Sequence, residues 1–335
     1  MTSPSPPPPP SPRPSLPLSP FLAPVEAVGV DVGATKIAAV RVTADGAVLA
    51  RARCATPRRT ADELVGAVAG LVARVRGERV TAVGVGLPGM VDAGTGALAF
   101  APGLEFARAP LGALLADAVG LPVVTDNDAN AAAWAEYRVG AGRGHDHLVL
   151  VTLGTGLGCG VVVAGRLLHG SHGFAAEASH LIVEPQGPLC ECGNRGCWGV
   201  AASGAAVARL GRRAAAADPE SPLARLIDRG SPDAGAAVTE AARAGDRQAL
   251  EILGRVGTLT GIGLAALANL FDPAVVIVGG GAVTAGEPLI APARASFARR
   301  LYAPDDRPPV PVLTARFAND AGAVGAALLA VDRSR

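Results

Sequence analysis

The chain has no marked excess of charge of either sign and no long apolar run. Its 335 residues carry 30 basic and 29 acidic side chains, a formal net charge of +1. This balance argues against the basic surface of a nucleic-acid or membrane-surface binder. No apolar run approaches the roughly 20 residues of a membrane-spanning helix. We therefore expect neither nucleic acid nor membrane among its partners.

Cysteine is also scarce, with five residues in the whole chain. Cys54 and Cys159 are isolated, and the other three fall within eight positions. Residues so close together cannot form a disulfide framework, and no secretory signal is recognisable. The sequence therefore predicts a reducing, cytoplasmic location.

Lysine is nearly absent. Lys36 is the single lysine among the 30 basic residues, and it lies in a glycine-rich turn. A compact ammonium group suits a phosphate as a point charge, so a phosphate-binding role is favoured. A surface lysine without a function is the alternative.

The order of predicted elements indicates a duplicated α/β layout. Residues 1–24 form a Pro/Ser tail that we expect to be disordered or locally polyproline II. Three hairpin-linked strands follow from residue 25, and helix and strand units follow them. A second glycine-turned hairpin begins near residue 147 and continues in the same way. Long helices are predicted over 60–76, 127–137, 246–269 and 319–331.

Three glycine-rich turns each follow a predicted strand. Glycine lets backbone amides approach phosphate oxygens, and a neighbouring carboxylate such as that of Asp31 could hold Mg²⁺. The Walker A spacing is absent, and the glycines of the second turn (152–160), at 154, 156, 158 and 160, alternate instead of showing the Rossmann spacing. Each turn alone could be only hairpin chemistry, but together they predict phosphate binding. The candidate phosphate residues are Asp31, Gly33, Thr35, Lys36, Gly154, Thr155, Gly156, Gly279, Gly280 and Gly281.

A segment near the middle of the chain carries metal-ligand spacing. His180 precedes Cys190, Cys192 and Cys197. Three thiolates and one imidazole at this spacing are typical of a closed tetrahedral zinc site. Glu177, three residues before the histidine, could face a ligand from the same segment.

These patterns together resemble the ROK family of sugar kinases, of glucokinase type, in the actin-like ATPase superfamily. The motifs that carry the resemblance are Asp31-Val-Gly-Ala-Thr-Lys36, Gly84-Val-Gly-Leu-Pro88-Gly89, Asn127-Asp128-Ala-Asn130-Ala-Ala, Leu153-Gly-Thr-Gly-Leu-Gly158, Glu177-x-x-His180, the Cys190/Cys192/Cys197 cluster and Val278-Gly-Gly-Gly281. The resemblance implies two RNase-H-like α/β domains with a central cleft. The first would span 25–128, completed by the helix at about 319–335, and the second, with the zinc loop, 129–318.

The resemblance also implies an activity. It is the ATP-dependent phosphorylation of a hexose at its C6 hydroxyl, with glucose expected, Mg²⁺ bound with ATP and a structural Zn²⁺. Asp128 would be the general base, although an aspartate at a helix start is ordinarily only an N-cap. Asn127 and Gly89 would bind the sugar, Glu177 would hold hydroxyls across the ring, and His180 would contact both zinc and sugar. A homodimer is expected from the same resemblance.

Three positions depart from the family pattern, all on the sugar side. Gly199 stands where relatives commonly carry a sugar-binding glutamate, Gly103 where they carry asparagine, and Ser179 where they carry glycine. The substrate therefore stays open between glucose and another hexose or an N-acyl amino-sugar. A catalytically weakened sugar-binding paralogue is a further alternative, and the donor stays open between ATP and polyphosphate.

The family also includes sugar-sensing repressors, which carry a helix-turn-helix domain ahead of the sugar-binding body. In this sequence that place is taken by the 24-residue tail, whose single basic residue is Arg13. Such a tail cannot supply a DNA-binding domain or its electrostatic footprint. The sequence therefore favours an enzyme over a repressor.

Overall fold

The first half of the chain builds one five-stranded sheet. The computed structural model describes residues 25–101, 103–104, 106, 108–228 and 233–333, so the predicted Pro-rich tail lies outside the described residues. The strand order is β3-β2-β1-β4-β7, with β1, β2 and β3 antiparallel and β1, β4 and β7 parallel. The elements are β1 (Glu26–Val32), β2 (Lys36–Thr43), β3 (Val48–Ala55), α1 (Ala61–Val75), β4 (Val80–Leu87), β5 (Met90–Val91), β6 (Leu98–Phe100), α2 (Leu111–Val119) and β7 (Val123–Asn127).

The second half repeats this arrangement. Its sheet order is β10-β9-β8-β11-β12, with β8, β9 and β10 antiparallel and β8, β11 and β12 parallel. The elements are α3 (Asp128–Val139), β8 (Leu148–Leu153), β9 (Leu157–Val163), β10 (Arg166–Leu167), α4 (Trp198–Ala202), α5 (Gly204–Ala217), α6 (Pro222–Asp228), α7 (Ala234–Arg243), α8 (Arg247–Phe271), β11 (Val275–Gly279), α9 (Glu287–Ala298), β12 (Val312–Thr314) and α10 (Ala321–Arg333). The predicted duplication is confirmed.

Helix α10 returns to the first sheet and packs between it and α3. Its approach is so close that glycine is required on both sides. A Cβ on Gly84 in β4 would lie 1.8 Å from the carbonyl oxygen of Ala326, and one on Gly325 would lie 1.7 Å from that of Ala131 in α3. Backbone therefore touches backbone at these two contacts, Gly84 with Ala326 and Gly325 with Ala131, which we call the glycine seam. Helix α3 also packs on β8 and β9 of the second sheet, so the predicted domain boundary at residue 128 stays a prediction.

The second glycine-rich turn is shorter than predicted. Strand β9 begins at Leu157, not at residue 160, so Gly158 and Gly160 lie within the strand. A Cβ on either glycine would come within 2.8 Å of Ala129 or Ala133 in α3. These two glycines therefore make room for a helix, and only the turn at 154–156 is left for phosphate.

Helix α8 is long and apolar enough to cross a membrane by length and composition alone. The sequence predicted this segment as the helix over 246–269 and did not predict a membrane span. In the structure 61% of its most apolar window is buried, and it packs against α9, α7 and α4. A core helix passes the same compositional test, so this is weak evidence of a membrane span.

The glycine seam yields a prediction for stability. Gly325→Ala places a methyl group against the backbone of Ala131, and we expect the free energy of unfolding to fall by about 1–3 kcal/mol or more. Gly66→Ala, in the exposed middle of α1 with nothing within 4 Å of its Cβ, should raise it by about 0.5–1 kcal/mol. Denaturant unfolding measures both, and equal effects would contradict the seam.

Candidate active site

A cleft of about 730 Å³ lies between the two halves and collects most of the predicted residues. Those that line it are Asp31, Gly33, Thr35, Lys36, Gly89, Asn127, Asp128, Gly154, Thr155, Gly156, Glu177, His180, Gly280 and Gly281. Gly279 does not line the cleft, because it is the buried last residue of β11. Gly103 also lies outside the lining, whereas Gly199 is part of it.

The two polar residues where β7 meets α3 have separate roles. Asn127 is the N-cap of α3, since its Oδ1 accepts from the backbone N–H of Ala129 (2.9 Å) and Asn130 (3.1 Å). Its Nδ2 donates to the carbonyl oxygen of Gly89 at 2.9 Å. Capping is therefore the task of Asn127, and Asp128 is not the N-cap. The Asp128 carboxylate accepts from the N–H of Ala129 at 2.8 Å and lines the cleft.

Three carboxyl groups share the cleft, and each has a raised pKa. Burial raises the pKa of Asp128 to about 7, and the charges of Asp31 and Glu177 add to the shift. Burial also raises the pKa of Asp31 to about 6, against the opposing effect of Lys36. The pKa of Glu177 is raised by burial and lowered in part by His180. Such a cluster favours the uptake of a proton or a cation, and carboxyl groups with shifted pKa values are common at functional sites.

The phosphate-type turns are held from outside the cleft. In the first, the N–H of Gly33 donates to the carbonyl oxygen of Lys36 at 3.0 Å, and Thr56 Oγ1 donates to that of Gly33 at 2.7 Å. In the second, the N–H of Gly154 donates to the carbonyl oxygen of Gly156 at 2.9 Å. The N–H of Gly204 donates to the carbonyl oxygen of Gly154 at 2.7 Å. Both turns are thus fixed on the same cleft before any ligand arrives.

The predicted metal ligands form one cluster. The donor atoms of His180, Cys190, Cys192 and Cys197 all lie within 4.8 Å of one another. His180 Nδ1 is 3.7 Å from Cys190 Sγ, and Cys192 Sγ is 3.6 Å from Cys197 Sγ. Ligands of tetrahedral zinc with bonds of about 2.1–2.3 Å stand roughly 3.5–3.8 Å apart, so the donor set fits this metal. His180 also lines the cleft.

Two of the departures from the family pattern touch each other. A Cβ on Gly199 would lie 3.2 Å from Ser179 Cβ and 3.3 Å from the Ser179 carbonyl oxygen. Any side chain at 199 must therefore press on residue 179. Both positions line the cleft beside Glu177 and His180.

Sequence reasoning missed several cleft residues. Asn319, just before α10, and Gly322, in its first turn, line the cleft, and a Cβ on Gly322 would lie 2.9 Å from the carboxyl carbon of Asp31. Ser203 and Arg209 line it near α5. For the α10 side of the cleft, the available signal was the Ala- and Gly-rich sequence from Ala321 to Ala327. A helix without bulky side chains can pack close to a neighbouring strand or helix.

Two sheets of equal strand order, facing each other across a cleft with two hairpin turns, define the two-domain actin-like ATPase fold. The chain belongs to the ROK family, whose sequence model matches residues 27–333. It is 42% identical over 307 residues to a glucokinase of Streptomyces coelicolor, covering 90% of this chain and 96% of that protein. An N-acetylmannosamine kinase of Yersinia pseudotuberculosis is 33% identical over 305 residues, covering 90% and 96%.

A solved structure agrees with these relatives. The ROK family glucokinase from Streptomyces griseus, in complex with glucose and AMPPNP, superimposes with a TM-score of 0.84 at 44% identity. The match covers 92% of this chain and 99% of that one.

The electrostatics of the cleft can be tested directly. Asp31→Asn removes a charge that raises the pKa of Asp128, so that pKa should fall from about 7 and stay above its ordinary 3.8 because burial persists. Carbon-13 NMR of the Asp128 carboxyl would follow it. The control is Asp45→Asn in an exposed turn, which should leave it unchanged. An unchanged pKa of Asp128 in Asp31→Asn would contradict the coupling between the two carboxyl groups.

Proposed function

We propose that this protein transfers the γ-phosphoryl group of ATP to the C6 hydroxyl of a hexose, with glucose as the substrate. The observation that carries the proposal is the position of Asp128. Its carboxyl group lies in the same cleft as the phosphate-type turns of both sheets and has a pKa raised to about 7. A general base works best when its pKa is near the operating pH.

In the proposed reaction, the Asp128 carboxylate takes the proton of the C6 hydroxyl. The hydroxyl oxygen then bonds to the γ-phosphorus, and the bond from that phosphorus to the β–γ bridging oxygen breaks and releases ADP. Phosphoryl transfer depends mainly on positioning and charge stabilisation, so one carboxylate is enough. Asn127, Glu177 and His180 would hold other sugar hydroxyls, with the Gly89 loop beside them.

The side of the cleft that carries the glycine-rich turns has the groups that bind a nucleoside triphosphate. Backbone amides of the two hairpin turns and of Gly280 and Gly281 would bind phosphate oxygens, and the Lys36 ammonium would offset their charge. The cluster of carboxyl groups with raised pKa fits a bound cation, so Asp31 would hold Mg²⁺ in the complex with ATP. When bound, this ion would neutralise charge at the transferred group.

The Cys/His cluster would hold a structural zinc ion. Because its ligands lie between Glu177 and Gly199 in the sequence, the bound ion would fix the loop that joins these two cleft residues. A homodimer stays a prediction of the family resemblance.

Gly199 favours a second candidate substrate. Without a side chain at this position, the sugar side of the cleft lacks one possible hydrogen-bonding group, and one relative of the chain is an N-acetylmannosamine kinase. A hexose with an added group, such as an N-acyl amino-sugar, is therefore the second candidate.

A coupled assay tests the reaction. Purified protein should release ADP in the presence of glucose and ATP, and a panel of hexoses and N-acyl amino-sugars compared by kcat/KM identifies the preferred sugar. Asp128→Asn keeps the shape of the base but not its proton affinity, so kcat should fall by about 10²–10⁴-fold while sugar binding persists. Unchanged kcat in this variant would refute the assignment of the base. No ADP release from the folded wild type with any hexose would refute the proposed activity.

Zinc content tests the metal proposal. Metal analysis of the purified protein should find one zinc ion per chain. Cys192→Ala should lose it and lower the melting temperature, since a structural metal contributes to folding. Cys192 is exposed, so the substitution leaves no core cavity. Cys54→Ala, outside the cluster, should keep the metal, and wild-type protein free of zinc would contradict the proposal.

A further inference from the structure

A partly buried hydrogen bond between a histidine and an aspartate joins the two halves of the molecule beside the cleft. His169 Nε2 donates to Asp126 Oδ2 at 2.8 Å. Asp126 belongs to β7 of the first sheet, directly before Asn127, whereas His169 follows β10 of the second sheet. The Asp126 side chain is only 6% exposed. The contact is therefore a specific link between the halves and not a surface pair.

Asp126 is fully engaged by its neighbours. Its Oδ1 accepts from the N–H of Asn127 (2.8 Å) and from Asn130 Nδ2 (3.0 Å), and Arg333 of α10 reaches its Oδ2 at 3.4 Å. Burial acts to raise the pKa of Asp126, but these hydrogen bonds and the charge of His169 hold it below its ordinary value. Asp126 is thus a carboxylate fixed in place at the end of the strand that carries the proposed base.

The pair anchors a loop that crosses from the second half to the first. This crossing loop, residues 168–176, closes on itself through the N–H of Ala175 and the carbonyl oxygen of His169 at 3.1 Å. A second anchor lies at the β5–β6 hairpin, where the N–H of Ala93 donates to the backbone carbonyl oxygen of His172 at 3.3 Å. A Cβ on Gly173 would lie 2.3 Å from the carbonyl oxygen of Val91. Two points thus hold the loop on the first half.

The loop ends in strained backbone next to the cleft. Ala176 has a φ of +68°, in the left-handed region that is unfavourable for a residue with a Cβ. Its neighbour is Glu177, which lines the cleft, and His180 of the zinc cluster follows three residues on. Strained backbone of this kind persists only where the surrounding contacts enforce it. The bond from the N–H of Ala175 to the carbonyl oxygen of His169 lies directly before Ala176.

We propose that His169 is a positioning residue: by binding Asp126 it holds the crossing loop on the first sheet and so fixes Glu177 relative to Asp128. The pair ties the segment that carries Glu177 to the strand end that carries Asn127 and Asp128. If the pair is lost, Ala176 can relax and Glu177 turns away from the base. The consequence for catalysis rests on the proposed function.

The test compares variants of the full chain that differ in one hydrogen bond. His169→Leu keeps much of the volume and removes the donor. We expect kcat/KM for glucose to fall roughly 10- to 100-fold, with a higher KM for glucose and a lower kcat, because small misplacements in an active site have costs of this size. The KM for ATP should stay unchanged. His169→Gln, whose amide reaches as far as Nε2, should keep most of the activity.

Arg333→Leu is the matched control. This variant removes the Arg333 guanidinium, which contacts the Asp126 carboxylate from α10. The crossing loop is not touched, so the kinetic constants for glucose should stay at their wild-type values. Hydrogen exchange of residues 168–181 gives a readout independent of activity: it should rise in His169→Leu and not in Arg333→Leu. If His169→Leu does not fold, His169→Asn, whose amide is too short to reach Asp126, takes its place.

The outcomes separate the two proposals. Wild-type protein without sugar-dependent ADP release would refute the proposed function, while the exchange comparison would still decide the role of His169. Wild-type exchange in the loop of His169→Leu, or equal kinetic losses in His169→Leu and Arg333→Leu, would overturn the positioning role. A lower melting temperature with unchanged kinetic constants and unchanged exchange would mean a purely structural contact.

Discussion

The arrangement of the cleft depends on one seam, where α10 lies between the first sheet and α3 with almost no side chain between backbones. Gly84 and Gly325 permit this approach, since a Cβ on either would fall within 1.8 Å of a carbonyl oxygen. The seam fixes α3 against the sheet and thereby places Asp128 at the cleft. It also brings the start of α10 to Asp31, where Gly322 leaves room for the carboxyl group. An interior packed to this density transmits any added methyl group as a backbone shift.

Charge is the second constraint. Asp31, Asp128 and Glu177 all have raised pKa values, and Lys36 and His180 oppose the shifts only in part. Such a group of carboxyls is unfavourable in a site that stays without a partner, and it is well suited to a cation, a transferable proton and sugar hydroxyls. The contact between His169 and Asp126 adds a positional constraint. It links the end of β7, which precedes Asp128, to the crossing loop, which precedes Glu177.

Local patterns in the sequence predicted much of this. The helix expected over 60–76 spans Ala61–Val75, with Thr60 accepting from the N–H of Glu63 as its cap. The Cys/His spacing predicted a cluster that the structure brings together. Glycines were harder to interpret, since Gly158 and Gly160 looked like turn residues and prove to lie in a strand against α3. A sequence does not distinguish a glycine that turns the chain from one that admits a neighbour, because both need only the absence of a Cβ.

The sequence by itself determined the element types, the repeated order, the family and the identity of most cleft residues, because these depend on local propensity and on short motifs. Only the tertiary structure decided which aspartate or asparagine caps α3, that Ser179 limits the space at Gly199, and that Gly279 is buried away from the cleft. It alone joined His169 to Asp126, which are 43 positions apart in the chain. Such pairings depend on how two sheets and α10 pack together, and no local pattern records that geometry.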